Sequence, residues 1–596
     1  MQTLTKILTD KTAAAFESCG YSAELGTVTV SDRPDLCQFQ CNGAFGGAKL
    51  YRKAPRMIAS EVAEKLAADA DIAKAEAVGA GFINIDLTDE YILSYVTAML
   101  SDKDLGIPQA EKPETIVLDY GGPNVAKPLH IGHLRSAVIG EALKRLVRAT
   151  GRTAIGDVHL GDWGLQMGLV MAELEVRHPE WDCFKEGFDF DNAGELPLTA
   201  DELNEVYPFA SKKSKQTVSE DDDTLTPEAE AFKARAKDLT VKMQKGDPLC
   251  SFLGREITRI SVPDIKKNYD NLNVDFDYWY GESDSAKFED ELYGILDGKG
   301  LLYESEGAIV ADVSEEDDKI TVPPVIIKKS DGSSIYATTD LATILQREKE
   351  WHPDEIWYVV DNRQSLHFTQ VFRCAKKAGI VPEGTKLEHL GFGTMNGADN
   401  KPYKTRDGGV MRLEMLYGMV YDYAKGIVDK STHSADEDKA DIARRVAVAA
   451  IKFGDLINHR AKDYIFDLDK FMAAEGKTGS FLLYTVARIN SILSQNGEPE
   501  GFDSKGIYAD SERAVLLKLA LSGEAYAMAF REKAPNMICE DAYKLADTFA
   551  KFYHDCHIAK EQDADKKKAW INVCLAVKTV LEKQLDVLGI ETVDLF

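Results

Sequence analysis

The chain has 596 residues, 71 basic and 99 acidic, for a formal net charge of −28. That length predicts roughly three to five domains, and a content of 44% hydrophobic and 29% charged residues excludes global disorder and a collagen-like chain. Taken alone, the acidic balance argues against a polyanion partner, because nucleic-acid binders carry a basic footprint.

No stretch approaches ~18 uninterrupted apolar residues, so neither a membrane span nor a membrane partner is expected. Met1 to Phe16 mixes Asp and Lys and has no hydrophobic block, so no secretory leader is expected either. Nine cysteines scattered from Cys19 to Cys574 fit free thiols in a reducing, cytoplasmic setting. Cys37 and Cys41 form a CxxxC with no second ligand pair nearby, so no protein-held metal is expected.

In chain order, residues 1–110 read as a small α+β module. Leu4 to Cys19 and Ile58 to Ala68 have helical spacing, and Thr27–Val30 and Gly81–Leu87 read as strands. Lys103 to Pro113 is polar and proline-bearing and reads as a linker. Residues 111–430 then read as an α/β domain built on a Rossmann-type parallel sheet. The short apolar run Thr115–Leu118 suits a strand buried on both faces. A helical stretch follows from His133 to Thr150, then a second strand from Thr153 to His159, which makes a βαβ unit. Asp182 to Thr226, with Glu220–Asp223 at its centre, reads as a solvated acidic insertion. Strand-like runs at Ala308–Val313, Val325–Lys329 and Ile356–Val360 predict that the sheet resumes after the insertion. Residues 431–596 read as an all-helical domain, with periods at Ala443–Ile457, Phe481–Leu493, Ala514–Phe530, Ala542–Phe552 and Ala569–Leu588.

The chemistry concentrates after the first strand of the α/β domain, in Asp119 to His133. Ligands of open α/β sheets sit beyond the carboxyl ends of strands, and a helix N-terminus favours phosphate. His130 and His133 stand at that helix start. There, two imidazoles can hydrogen-bond a triphosphate and the charge developing at its α-phosphorus. Gly132 between them leaves the backbone open to a flat ring. The alternative is a pair of surface histidines at a helix cap.

The run Pro123 to Ser136, containing His130-Ile131-Gly132-His133, resembles the HIGH signature of class I aminoacyl-tRNA synthetases in the form carried by the arginyl-tRNA synthetases. Leu160–Gly164, Tyr336–Ala342, Asp361–Phe368, Phe392–Met395 and the segment from Thr478 to Arg488 extend the resemblance over nearly the whole chain. It implies that Lys401-Pro402-Tyr403-Lys404-Thr405 stands for the mobile KMSKS loop, with Lys127 as a further candidate cation; the alternative is an exposed basic turn. It places L-arginine among Asp119, Asn124, Tyr336, Asp340 and Gln364. The first two would be at the α-amino and carboxylate end, and the other three around the guanidinium. Tyr336 and Asp340, four apart, share a face on a helical turn. Asp340 as a helix N-cap and Tyr336 as core are the bland alternatives. His159 and Asp162 fall on the nucleotide or tRNA-end side. Two departures stand out: Gly121-Gly122 where relatives commonly have small hydroxyl residues, and a C-terminus ending Val593-Asp594-Leu595-Phe596.

The resemblance implies ATP and Mg²⁺, a cognate arginine tRNA, and activation of arginine as an adenylate before transfer to the tRNA 3′ end. It further implies an N-terminal tRNA-contacting module whose basic stretch is Lys49, Arg52, Lys53 and Arg56. The helical domain would read the anticodon, with Tyr464, Tyr484, Arg488 and Phe552 as candidates for stacking. A monomer is expected. The competing readings are another HIGH-type nucleotidyl transferase and a non-catalytic tRNA-binding protein derived from a synthetase. Most of the acidic excess lies upstream of residue 431, so net charge does not exclude tRNA; local basic faces decide.

Overall fold

The computed structural model describes residues 1–219, 222–330, 335–401, 403, 411–430 and 438–594. Near the N-terminus a four-stranded antiparallel sheet, in the order Val28–Val30, Phe39–Cys41, Phe82–Leu87, Ile72–Val78, packs with four helices. Two of its strands, Phe39–Cys41 and Ile72–Val78, lacked a legible pattern; the second pairs small alanines with charged residues and shows no clean alternation of burial. Lys53 of the basic stretch is neutralised, its ammonium 2.6 Å from Glu61 and 2.8 Å from the Tyr21 hydroxyl, while Lys49, Arg52 and Arg56 are exposed.

The α/β region forms around eight elements: β1 (Thr115–Tyr120), α1 (Ile131–Ala149), β2 (Thr153–Asp157), α2 (Pro248–Asp270), α3 (Tyr336–Trp351), β3 (Glu355–Val359), α4 (Ser365–Ala378) and β4 (Lys386–His389). The four strands are parallel in the order β4-β3-β1-β2. Chain order reverses between β1 and β3, which makes that junction the switch point where ligands of open α/β sheets bind.

Two expectations change. Ala308–Ala311 and Val325–Lys328 do not extend the parallel sheet; with Leu302–Ser305 they form a separate three-stranded antiparallel sheet. Short apolar runs carry no information on which sheet they join. The acidic insertion is more than a solvated loop. It holds the helix Ala200–Lys213, which buries Leu203, Val206 and Ala210, followed by a small hairpin, Thr217–Ser219 with Asp222–Leu225. Thr199 caps that helix by accepting from the Glu202 amide; Thr-x-x-Glu is a start signal that the surrounding charge obscured.

The last part of the chain is helical apart from Tyr464–Ile465, which pairs in parallel with Met395–Asn396. Its helices among the described residues are α5 (Lys439–Leu456), the short Leu468–Met472, Gly479–Asn496, Asp510–Ala520, Ser522–Glu532, Asn536–Asp555 and Ala564–Val587. The helix expected at Ala514–Phe530 is thus two, parting at Leu521. Gly523 then comes so near the Gly106 carbonyl that a Cβ would lie 2.8 Å from its oxygen. Tyr464 and Phe552, candidates for base stacking, belong to the core; Tyr484 is exposed, with the Arg488 guanidinium 4.5 Å from its ring centroid. Helix α1 buries most of its circumference, including Arg135, Glu141 and Lys144, because it packs on the sheet and also against α5 and the helix Ala564–Val587. No helix among the described residues is long and apolar enough to cross a membrane.

Candidate active site

A cleft of about 470 Å³ opens beyond the carboxyl ends of β1 and β3. It is lined by the end of β1, the start of α1, Tyr336 and Asp340 of α3, and the residues that lead from β3 into α4. Of the sequence-predicted residues, Asp119, Asn124, His130, Gly132, His133, His159, Tyr336, Asp340 and Gln364 meet there.

The two histidines owe their state to the helix start. His130 is the N-cap of α1, and its Nδ1 accepts from the Gly132 amide at 3.1 Å. His133 Nδ1 accepts from the His130 amide at 3.0 Å. With both Nδ1 atoms accepting, each neutral ring carries its proton on Nε2. Burial lowers the pKa of both, helped by the Lys127 charge, to about 4 for His130 and well down for His133. The pair, stacked at 4.0 Å between centroids, therefore offers neutral N–H donors at ordinary pH. A Cβ on Gly132 would stand 2.8 Å from His130 Cε1, so any side chain there would displace the ring. The two histidines do cap the helix, and the capping fixes which ring nitrogen is left to donate.

The floor of the cleft is charged. Arg347 of α3, almost wholly buried, spans Asp119 and Asp157 with 2.7 Å hydrogen bonds from one nitrogen. Burial raises Asp119, while at Asp157 burial is outweighed by Arg347 and His159, which hold that carboxyl low. Despite burial, His159 is raised to about 9 by Asp157 and Asp119; it also meets the Thr343 hydroxyl at 3.1 Å. Gly121, at φ +78°, turns the chain out of β1, and a Cβ there would lie 2.8 Å from Phe276. The Gly121-Gly122 departure thus answers a bend braced by an aromatic ring.

The rest of the lining is acidic. Asp340 lies one turn inside α3, which starts at Tyr336, so it is not the helix cap. Tyr336 is 59% exposed and not core. Asp340 Oδ2 is 2.5 Å from His367 Nε2 of α4. Glu282 also lines the cleft, its carboxyl pushed up to about 7 by burial, and further by Asp340 and Asp162. Gln364, on the turn before α4, is exposed. Sequence reasoning missed Glu282, Arg347 and His367. His367 lay in a recognised block without a role, and the others had no local pattern that tied them to β1.

Three predicted residues fall outside the cleft lining. Lys127 lies in a notch beside α2 and the helix Ala200–Lys213, where burial and Lys215 lower its pKa. Asp162 accepts from the Ser283 amide and hydroxyl at 2.9 and 2.6 Å, so it braces the short helix Glu282–Ala286 and is not part of the cleft lining. Lys401 is exposed on a turn closed by Gly397 N–H to Lys401 O at 2.8 Å. Lys404, Pro402, Thr405, Leu595 and Phe596 lie outside the described residues.

Solved structures share this architecture. Those of arginyl-tRNA synthetases from Plasmodium falciparum and Thermus thermophilus superpose with TM-scores of 0.81 and 0.79 at 22% identity, each covering 100% of both chains. The sheet, its switch-point cleft and the paired histidines define a class I aminoacyl-tRNA synthetase, and the family model described as tRNA synthetases class I (R), catalytic domain, matches residues 95–468. An arginyl tRNA synthetase N-terminal domain matches residues 2–87, and a DALR anticodon binding domain matches 482–595. The chain is 46% identical over 595 residues to an arginine–tRNA ligase of Alkaliphilus oremlandii, covering 99% of each, and 45% identical to one from Agathobacter rectalis over 100% of each. It belongs to the arginyl-tRNA synthetase family.

Proposed function

We propose that this chain is an arginine–tRNA ligase that activates L-arginine with ATP and transfers it to the 3′ end of its cognate tRNA. The observation that carries the reading is one cleft lined both by two neutral N–H donors, His130 and His133, and by the acidic side chains of Asp119, Asp340 and Glu282. A substrate with an ammonium-and-carboxylate end and a cationic guanidinium end needs both, because planar guanidinium is best met by carboxylates and carbonyls in a fixed fork. Asp119 and Asn124 hold the α-amino and carboxylate end. Tyr336, Asp340 and Gln364, joined by Glu282, surround the guanidinium. His130 and His133 donate to ATP phosphate oxygens and to the charge that builds as the arginine carboxylate attacks the α-phosphorus. Lys401, Lys404 and the nearby charge of Lys127 stabilise the departing pyrophosphate. His159 supports the floor on which the nucleotide rests, and Asp162 holds the short helix that starts at Glu282. Mg²⁺ would accompany ATP and shield the charge of its phosphates.

The terminal ribose hydroxyl of the tRNA then attacks the acyl carbon of the arginyl-adenylate, the acyl–phosphate bond breaks and AMP leaves. No covalent enzyme intermediate forms, and catalysis is positioning plus electrostatics. A polar pocket of this kind rejects a substrate that leaves buried groups unpaired by about 10⁴-fold, which separates arginine from lysine without an editing domain. We place tRNA along the N-terminal module (1–110) and the helical region (431–596), with residues 111–430 as the catalytic domain. We also read the protein as a cytoplasmic monomer.

The test is arginine-dependent ATP–pyrophosphate exchange with and without tRNA, followed by charging of tRNA. Exchange that requires arginine and tRNA fits the reading. No exchange under either condition would refute an enzyme. Exchange with another amino acid would move the chain to a different ligase specificity.

A further inference from the structure

The histidine helix and the segment bearing Lys401 come from distant parts of the chain, yet they are tied together at two points. The far end of the lysine segment is stitched to the histidine signature by backbone: Ile131 N–H donates to Met411 O at 3.1 Å, and Leu413 N–H to Leu129 O at 2.9 Å. Its near end, Gly393 to Asn396, has no such bond to that signature among the described residues. It is held instead by a side chain of α1. Arg135, only 1% exposed and two residues past His133, donates from Nη1 to Gly393 O at 2.7 Å and to Lys462 O at 3.1 Å. From Nε it donates to Asp455 Oδ1 of α5 at 2.9 Å, and that carboxylate is wholly buried. The Tyr464 ring covers the guanidinium at 5.0 Å.

This is a costly arrangement for packing alone. A buried ion pair seldom outperforms apolar residues of similar volume. Arginine meets three acceptors from two nitrogens held in one rigid plane, a geometry that the single rotating ammonium of lysine does not fix. Those partners are Gly393 at the base of the lysine segment, Lys462 just before the strand Tyr464–Ile465 that pairs with Met395–Asn396, and Asp455 of α5.

We propose that Arg135, held by Asp455, is a positioning residue that sets the register of Gly393 to Lys401 against His130 and His133, so that the Lys401 cation and the histidine donors reach the transition state together. The inference rests on the reading of the cleft as an adenylate-forming site. Arg135 touches no substrate; its effect is on kcat.

The test uses the full-length protein in arginine- and tRNA-dependent ATP–pyrophosphate exchange. Arg135→Lys keeps the charge beside Asp455 and loses the fork. The double variant Arg135→Met with Asp455→Leu replaces the pair by apolar volume, so it keeps the fold. Both variants are expected to lose about 10²-fold in kcat, the usual cost of an ångström-scale misplacement. Arginine and ATP KM stay within about twofold, and the thermal midpoint stays near that of the unaltered protein. A kcat within about twofold in both variants would overturn the inference. So would a fall in kcat that merely tracks loss of folded protein in both, or a rise in either KM that accounts for the loss. Absence of exchange by the unaltered protein would instead overturn the functional reading on which it depends.

Discussion

Replacing Asp340 by Asn removes one charge and almost no volume, which makes it the sharpest probe of the acidic lining. Asp340 Oδ2 already meets His367 Nε2 at 2.5 Å, and the two side chains are only 21% and 28% exposed. In the Asp340→Asn variant the new amide oxygen would turn to keep the His367 hydrogen bond, leaving the NH₂ facing the pocket. A guanidinium, which only donates, would then meet a donor where it needs an acceptor. The loss is a hydrogen bond to a charged group, about 1.5–3 kcal/mol. At 1.4 kcal/mol per tenfold this predicts an arginine KM raised about 10- to 150-fold with the ATP KM unchanged. The assay is exchange kinetics with arginine varied at saturating ATP, then ATP varied at saturating arginine. An equal rise in both constants, or none in the arginine constant, would take Asp340 out of the guanidinium site.

Other expectations follow from the same geometry. Glu282, pushed up to about 7, is half protonated at neutral pH, and a guanidinium beside it lowers its pKa. Arginine binding at pH 7 should then release about half a proton, seen as buffer-dependent heat in calorimetry; identical heats in all buffers would count against this placement. Arg347→Met strands two buried carboxylates and should cost about 3–5 kcal/mol of stability, so a thermal midpoint equal to that of the unaltered protein would refute the charged floor. His130 and His133 are both held below their unfolded value, so their contribution to stability is complete above about pH 6.5 and is lost in acid, as pH falls through about 4 for His130. His159, raised to about 9, acts oppositely: its contribution is complete below about pH 6.5 and lost as pH climbs through 9. Thermal midpoints across pH, compared with a His159→Gln variant, should show the alkaline loss only in the unaltered protein. In the N-terminal module, Arg52→Ala and Arg56→Ala should weaken tRNA binding more than Lys53→Ala, because Lys53 is already paired with Glu61; equal effects in a salt-matched binding assay would reject that ranking.

What the chain dictated locally could be read from it directly. The buried run at Thr115–Leu118, the helical period after His133 and the signature between them placed a nucleotide-type cleft at the end of β1, since hydrophobic periodicity and helix-start chemistry act over a few residues. Asp340, Tyr336 and Gln364 were legible only through the family resemblance, because nothing in their spacing joins them to Asp119. Where the strands at Ala308–Ala311 and Val325–Lys328 belong was invisible, since sheet membership depends on which edge is free in space. The helix Ala200–Lys213 was hidden by its charge, although three buried residues and a Thr cap sufficed to form it. Charge state was the last thing to emerge. Sequence alone presents Asp119, Asp157, His159 and Arg347 as four separate ionisable groups, and His130 and His133 as ordinary imidazoles. Only the fold brings one guanidinium between two carboxylates, half-buries both signature histidines as neutral donors and threads Arg135 through three segments, because desolvation and pairing depend on distances that close only when remote parts of the chain meet.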